Sequence, residues 1–269
     1  MRKSLLTLGL LAATAAPVMA ADYSDDIHKN DYKWMQFNYM YSIDEMPRVK
    51  GADDNTHDYL EMEFGGRSGI FDLYGYVDVF NIATKDNQDK SIKNGAPDKM
   101  FMKFAPRMSL DAVTGKDLSF GPVQELYIAS LMEWGGNNGG VNNQKIGLGS
   151  DVNVPWLGKI GLNLYSTYDG NKKDWNGFQI STNWFKPFYF FENGSFISYQ
   201  GYIDYQFGMK EEYSSASSGG AMFNGFYWHS DRYAVGYGLK AYKDIYGIKD
   251  TDAFKSTGVG HYLSVTYKF

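Results

Sequence analysis

From Gly260 to Phe269 the chain reads GHYLSVTYKF, with Leu263, Val265, Tyr267 and Phe269 on every second position. Period-two alternation marks a strand with two unlike faces. Terminal segments usually fray, because they find little to pack against. An aromatic stripe carried to the last residue instead predicts a closing strand, hydrogen-bonded to a partner near the other end of the chain. That requirement is strictest in lipid, where an unpaired sheet edge has no water to satisfy it.

The alternation recurs along the whole chain, and helical periodicity is hard to find. Twelve candidate strands fall near 32–41, 57–65, 70–80, 100–112, 120–134, 144–154, 160–168, 176–186, 195–207, 220–229, 232–243 and 259–269. Tight connections (GGRSG at 65–69, TGKD at 114–117, PWLGK at 155–159, HSDR at 229–232) alternate with longer polar ones near 81–99, 208–219 and 244–257. The stretch 186–194 breaks this rhythm, being too long and too aromatic for a tight turn. Short turns at one end and long loops at the other predict an all-β fold, a transmembrane antiparallel up-and-down β-barrel. An even strand number puts both termini on the tight-turn side. No domain boundary or sequence repeat interrupts the barrel.

Composition agrees. Aromatics make up 17% of the chain, yet the mean hydropathy is −0.42. Beyond the first twenty residues no apolar run reaches 18 residues, which excludes a helical membrane protein but not a barrel, whose strands average to a soluble-looking composition. Arg2-Lys3, an apolar stretch from Leu5 to Val18 and a small-residue site at Val18-Met19-Ala20 predict a signal peptide over 1–20, cleaved to leave a barrel of residues 21–269. There is no cysteine, so export brings no disulfide staple. A formal charge of −5 without a basic patch argues against nucleic acid. A soluble β-sandwich is the competing architecture. Against it, Tyr39, Tyr41, Trp134, Trp156, Trp184, Trp228 and Tyr267 sit near strand ends, where a membrane protein carries its aromatic girdles.

The two faces of three consecutive strands differ chemically. In THDYLEMEF, Leu60, Met62 and Phe64 share one face while Tyr59, Glu61 and Glu63 share the other. In FDLYGYVDVF, Phe71, Leu73, Val77 and Val79 oppose Asp72, Tyr74, Tyr76 and Asp78. In MFMKFAPRMSLD, Met102, Phe104, Met108 and Leu110 oppose Lys103, Arg107, Ser109 and Asp111. Carboxylates facing lipid are unfavourable, so the charged face must line the lumen. Two uses of it stay open. The charges can pair as structural salt bridges that fill a narrow bore. Alternatively, aromatic faces and ionisable edges form a permeation path of several weak sites. His229-Ser230-Asp231 cannot act as a catalytic triad from one tight turn, and the four histidines lack zinc spacing. No phosphate-binding glycine loop is present. The reading is therefore a non-enzyme without metal or cofactor.

The blocks DYLEMEF, FDLYGYVDV, FMKFAPRMSLD and KDLSFGP follow one another in order, and STGVGHYLSVTYKF closes the chain. This series resembles the Tsx family of nucleoside-specific channel-forming outer-membrane proteins, and within it the OmpK outer-membrane proteins most. The resemblance implies a monomeric twelve-stranded barrel in outer-membrane lipid, with a narrow lumen of aromatic and ionisable residues and passive uptake of nucleosides. It implies surface loops that serve as phage attachment sites, making a surface receptor the alternative role. It also implies a closing aromatic strand read by the barrel-insertion machinery. Tyr59, Glu61, Glu63, Asp72, Tyr74, Tyr76, Asp78, Lys103, Arg107 and Asp111 are carried over as the lumen-facing substrate path. One departure stands out: where the family has Phe-Gly-Pro in its first long loop, this chain has Glu45-Met46-Pro47, keeping only the proline, a difference that bears on selectivity rather than on the fold.

Overall fold

The computed structural model describes residues 21–23, 25–50, 56–84, 99–136 and 140–269. The expected signal peptide, 1–20, and most of the loop near 81–99 lie outside the described residues. Thirteen strand segments form one antiparallel sheet. Two of them, Met100–Phe104 and Arg107–Ser109, are halves of a single wall strand. They keep one register against their neighbour, Tyr76 opposite Lys103 and Asp72 opposite Arg107. The ladder is interrupted only around Pro106, which has no N–H to donate.

The wall therefore has twelve strands among the described residues: β1 (Tyr32–Ile43), β2 (His57–Ser68), β3 (Phe71–Phe80), β4 (Met100–Phe104 with Arg107–Ser109), β5 (Val123–Gly135), β6 (Asn142–Val154), β7 (Gly158–Asp169), β8 (Asp174–Phe190), β9 (Phe196–Phe207), β10 (Ser218–His229), β11 (Tyr233–Lys243) and β12 (Gly258–Lys268). Each pairs with its chain neighbour. β12 then pairs with β1, from Gln36 opposite Lys268 to Ile43 opposite His261, and the sheet closes. Tyr267 faces Phe37 across this seam, Val265 faces Tyr39 and Leu263 faces Tyr41, all on the outside. The expected closing strand is borne out.

Alternation sorts the two faces. Leu148 (64% exposed), Leu164, Val235, Leu263 and Val265 (54%) form an exposed apolar belt, while Tyr262, Ser264, Thr266 and Lys268 of the same closing strand are buried inside. Uncovered aliphatic surface on this scale is stable only against lipid.

Three connections differ from the sequence reading. β2 runs through Gly65-Gly66 to Ser68, and the turn is only Gly69-Ile70, with Gly69 in the left-handed region at φ 54°. β4 stops at Ser109 rather than residue 112. There the Ser109 hydroxyl caps a short helix, α1 (Leu110–Thr114), by accepting from the Ala112 N–H, and Gly115 ends it at φ 64°. The link to β5 is therefore longer than the TGKD turn suggested. Finally, the aromatic stretch after Lys186 is strand: β8 continues to Phe190, with Phe188 as a bulge between Pro187 and Tyr189, and a short turn follows.

Rings fit the narrow interior by lying on glycine. A Cβ added at Gly236 of β11 would come within 2.1 Å of the Tyr227 ring, and one at Gly238 within 2.2 Å of the Phe223 ring. Gly236→Val should therefore destabilise the barrel by about 1–3 kcal/mol through overpacking. Urea unfolding in detergent, followed by loss of the compact gel band, measures this; Val235→Leu on the lipid face should leave the midpoint nearly unchanged.

Candidate functional site: the barrel lumen

Nine of the ten sequence-selected residues point inward: Tyr59, Glu61 and Glu63 on β2, Asp72, Tyr74, Tyr76 and Asp78 on β3, and Lys103 and Arg107 on β4. Register brings them side by side, Glu61 opposite Asp78, Glu63 opposite Tyr76 and Asp72 opposite Arg107. Asp111 is the exception. It lies in α1, fully buried, and its carboxylate accepts from the Leu118 N–H (2.9 Å) and the Leu126 N–H (3.3 Å). Because the strand ends at Ser109, Asp111 secures the turn instead of lining the bore.

At the tight-turn end the charges form a network. Arg67 pairs with Glu125 (3.0 Å) and Asp72 (3.3 Å). Arg107 pairs with Asp72 (3.2 Å) and Asp151 (2.9 Å), and Lys159 also reaches Asp151 (3.2 Å). The Arg107 guanidinium lies 4.0 Å over the Tyr127 ring. Tyr23, ahead of β1, donates to Glu125 (2.6 Å) and accepts from Arg67 (2.7 Å), tying the N-terminal segment into this end. Farther along the same wall toward the loop end, Lys103 of β4 reaches across the bore to Asp204 of β9 (2.9 Å), and Lys145 of β6 meets Glu133 of β5 (2.7 Å).

The middle level is different. Glu63 accepts from Gln36 (2.6 Å) and Tyr74 (2.8 Å), and Glu61 accepts from Asn38 (2.6 Å). Among the described residues no ion pair reaches Glu61, Glu63 or Asp78, although Asp78 is only 7% exposed. Beside these three carboxylates runs a file of rings. Trp34 and Tyr74 are 6.3 Å apart, Tyr74 and Tyr76 6.2 Å, and Tyr76 and Phe101 5.9 Å. Tyr202 stacks on Phe223 at 5.8 Å.

At the loop end, Glu45 folds in from the connection after β1. It meets His57, accepts from the Tyr262 hydroxyl (2.9 Å) and lies 4.0 Å from Lys240. The Lys240 ammonium sits among three rings, 5.2 Å from Tyr242, 5.6 Å from Tyr262 and 6.0 Å from Tyr202. Burial pushes the Glu45 carboxyl up, but His57, Lys240 and the Tyr262 hydroxyl outweigh it and hold the group at about 2, below its ordinary 4.5.

Sequence reasoning missed Arg67, Glu125, Glu133, Lys145, Asp151, Asp204 and Lys240. Arg67 was hidden by the Gly65-Gly66 pair, which imitates a turn. Glu125 and Glu133 share their face with Tyr127, Ala129 and Leu131, which blurs the polar stripe. Counting every second residue back from the turns would have found them. Among the described residues, no group of three or more His, Asp or Glu is placed to hold a metal ion.

Residues 29–269 match the family described as nucleoside-specific channel-forming protein, Tsx. The chain is 76% identical to the outer membrane protein OmpK of Vibrio parahaemolyticus over the full length of both. It is 30% identical to the nucleoside-specific channel-forming protein Tsx of Salmonella typhimurium, covering 97% of this chain and 99% of that one. A KdgM porin structure aligns with a TM-score of 0.47 at 12% identity, over 87% of this chain and 99% of that one. The chain belongs to the Tsx family of outer-membrane channel-forming proteins.

The loop-end lock has a pH signature. Because the folded Glu45 carboxyl lies below its ordinary value, its contribution is full above pH 4.5 and disappears as pH falls through about 2. Glu45→Gln should therefore unfold earlier than the parent at pH 7, and the gap should close between pH 4.5 and 2. Thermal scans in detergent across that range check it.

Proposed function

We propose that this Tsx-family barrel is a passive outer-membrane channel for nucleosides and similar small polar aromatic solutes. Tyr59, Glu61, Glu63, Asp72, Tyr74, Tyr76, Asp78, Lys103 and Arg107 line its path. One observation carries the reading. Arg67, Lys103, Arg107, Lys145, Lys159 and Lys240 each stand within ion-pair distance of a carboxylate, and inward Lys268 at the tight-turn rim donates to the Ser230 carbonyl, whereas among the described residues no cation stands within that distance of Glu61, Glu63 or Asp78.

Those three acids flank the file of tyrosines. A flat heterocycle stacks on the rings while its amino and hydroxyl groups donate to the carboxylates. Stacking of this kind is worth about 1–3 kcal/mol per ring. Several such sites in series let a solute enter and still leave, which one deep pocket would not. Because no cation stands beside these acids among the described residues, a phosphate would find no ion-pair partner there. The paired charges at the tight-turn end narrow the bore and hold its shape. The reading assigns transport without a catalytic step, by a single chain whose apolar belt faces outer-membrane lipid. Its closing strand presents Tyr267 and Phe269 to the insertion machinery.

A second reading, surface attachment of phage, is favoured by the order of the loop-side rim. Arg48–Val49 forms a ribbon with Phe254–Lys255. The two last loops are joined through Ala216 N–H to Gly247 C=O (2.9 Å) and Lys249 N–H to the Ser215 hydroxyl (2.8 Å). The two roles use different surfaces. Replacing residues 249–253 by a short linker should abolish phage adsorption while conductance stays unchanged; adsorption that survives would remove this rim from the role.

For the channel, adenosine added to planar bilayers should reduce single-channel current. Tyr74→Ala combined with Tyr76→Ala should raise the half-blocking concentration at least tenfold. A parent channel that no nucleoside reduces at any concentration sinks the proposal.

A further inference from the structure

The connection between β11 and β12 folds back into the barrel mouth. Ile245 packs with Met46, Ala221 and Tyr242 in one buried cluster. Ala221 and Tyr242 are opposite one another on β10 and β11 and point inward, so this cluster sits inside the wall. The short 3-10 turn Ile245–Gly247 is fastened on three sides: Ile245 N–H to Ser256 C=O (3.1 Å), Gly247 N–H to Asp244 C=O (3.0 Å), and Gly247 C=O from Ala216 N–H (2.9 Å).

The middle residue of that turn breaks two rules at once. Tyr246 holds a left-handed backbone, φ 60° and ψ 24°, a conformation that disfavours a bulky side chain and suits glycine. Its neighbours Ile245 and Gly247 are buried, yet Tyr246 itself is 64% exposed. The ring therefore does not serve the packing that fastens the turn. Its hydroxyl lies within electrostatic range of Lys240, Glu45 and Tyr202, and of Glu133 on β5, across the barrel from β11. All four are lumen groups. A strained backbone that presents an unpacked ring toward charged groups is the kind of outlier that points to a ligand.

We infer that Tyr246 is the first solute site of the channel: a planar aromatic solute stacks on its exposed ring at the mouth, with Glu45 and Lys240 beneath to meet the polar edge. This rests on the nucleoside reading above and adds to it a residue outside the wall strands. Glu45 would accept from an amino or hydroxyl group, and Lys240 would donate to a ring nitrogen or carbonyl. The solute would then descend to the Tyr59, Tyr74 and Tyr76 level.

The test compares the parent channel with Tyr246→Gly and Tyr246→Phe in planar bilayers, using adenosine as the probe and ribose as the ring-free control. Glycine suits the left-handed backbone, so that variant should fold at least as stably as the parent, seen as an intact heat-modifiable gel band. Tyr246→Gly should raise the half-blocking adenosine concentration at least fivefold and slow block onset for adenosine added on the loop side. Tyr246→Phe should stay within twofold of the parent, and ribose flux should be equal in all three. A folded Tyr246→Gly channel blocked like the parent overturns the assignment while leaving the nucleoside reading intact. A parent channel not blocked by adenosine at all overturns both.

Discussion

The pairing of β12 with β1 is the contact on which everything else depends. In lipid a backbone amide without a partner has no water to turn to, so the sheet must close on itself. Closure makes each strand a two-faced object with no freedom to slip, because a one-residue shift would turn Glu61, Glu63, Asp72 and Asp78 toward lipid. The register from Gln36 opposite Lys268 to Ile43 opposite His261 thus decides the chemistry of the lumen as well as the stability of the wall.

Once closed, the barrel has to settle what it has turned inside. Charges brought out of water need partners, and removing one member of a buried pair is costly. Most of the interior obeys this: Arg67, Asp72, Arg107, Glu125, Asp151 and Lys159 form one continuous network at the tight-turn end. Against that background Glu61, Glu63 and Asp78 stand apart. Amides of Gln36 and Asn38 and the phenol of Tyr74 donate to Glu61 and Glu63, while Asp78 lies opposite Glu61 in the ladder. A wall that pairs so many carboxylates with cations leaves these three, among the described residues, without one where the tyrosines are densest.

The sequence made the wall legible because period-two alternation survives any uncertainty about strand ends. Inward placement of Tyr59, Glu61, Glu63, Asp72, Tyr74, Tyr76, Asp78, Lys103 and Arg107 follows from parity alone. What alternation cannot show is where a strand stops. Ser109 switches the backbone from strand to helix with one side-chain cap, and Asp111 leaves the lumen with it. Gly65-Gly66 looks like punctuation but is paired with Trp34 and Lys33, so Arg67 is carried inward unnoticed. The cross-barrel partners were equally invisible. Lys103 and Asp204 are 101 positions apart and meet only because the sheet curves shut.

Loops that fold into the mouth escape parity altogether, which is why Glu45, Met46 and Tyr246 could not be placed from sequence. Their positions come from a cluster in which Met46 and Ile245, from the first and last connections, close over Ala221 and Tyr242. This cluster makes the mouth a built structure rather than the open end of a cylinder. It holds Glu45 where His57 and Tyr262 can bind it, and it fixes the turn that forces Tyr246 into a left-handed backbone. Places where local preference is overruled by the surrounding fold are where function is expected. Among the described residues the lumen has two of them: carboxyl groups without a cation at its middle and a strained, unpacked tyrosine at its mouth. A solute that prefers both an aromatic face and a carboxylate edge would find them in that order on its way through.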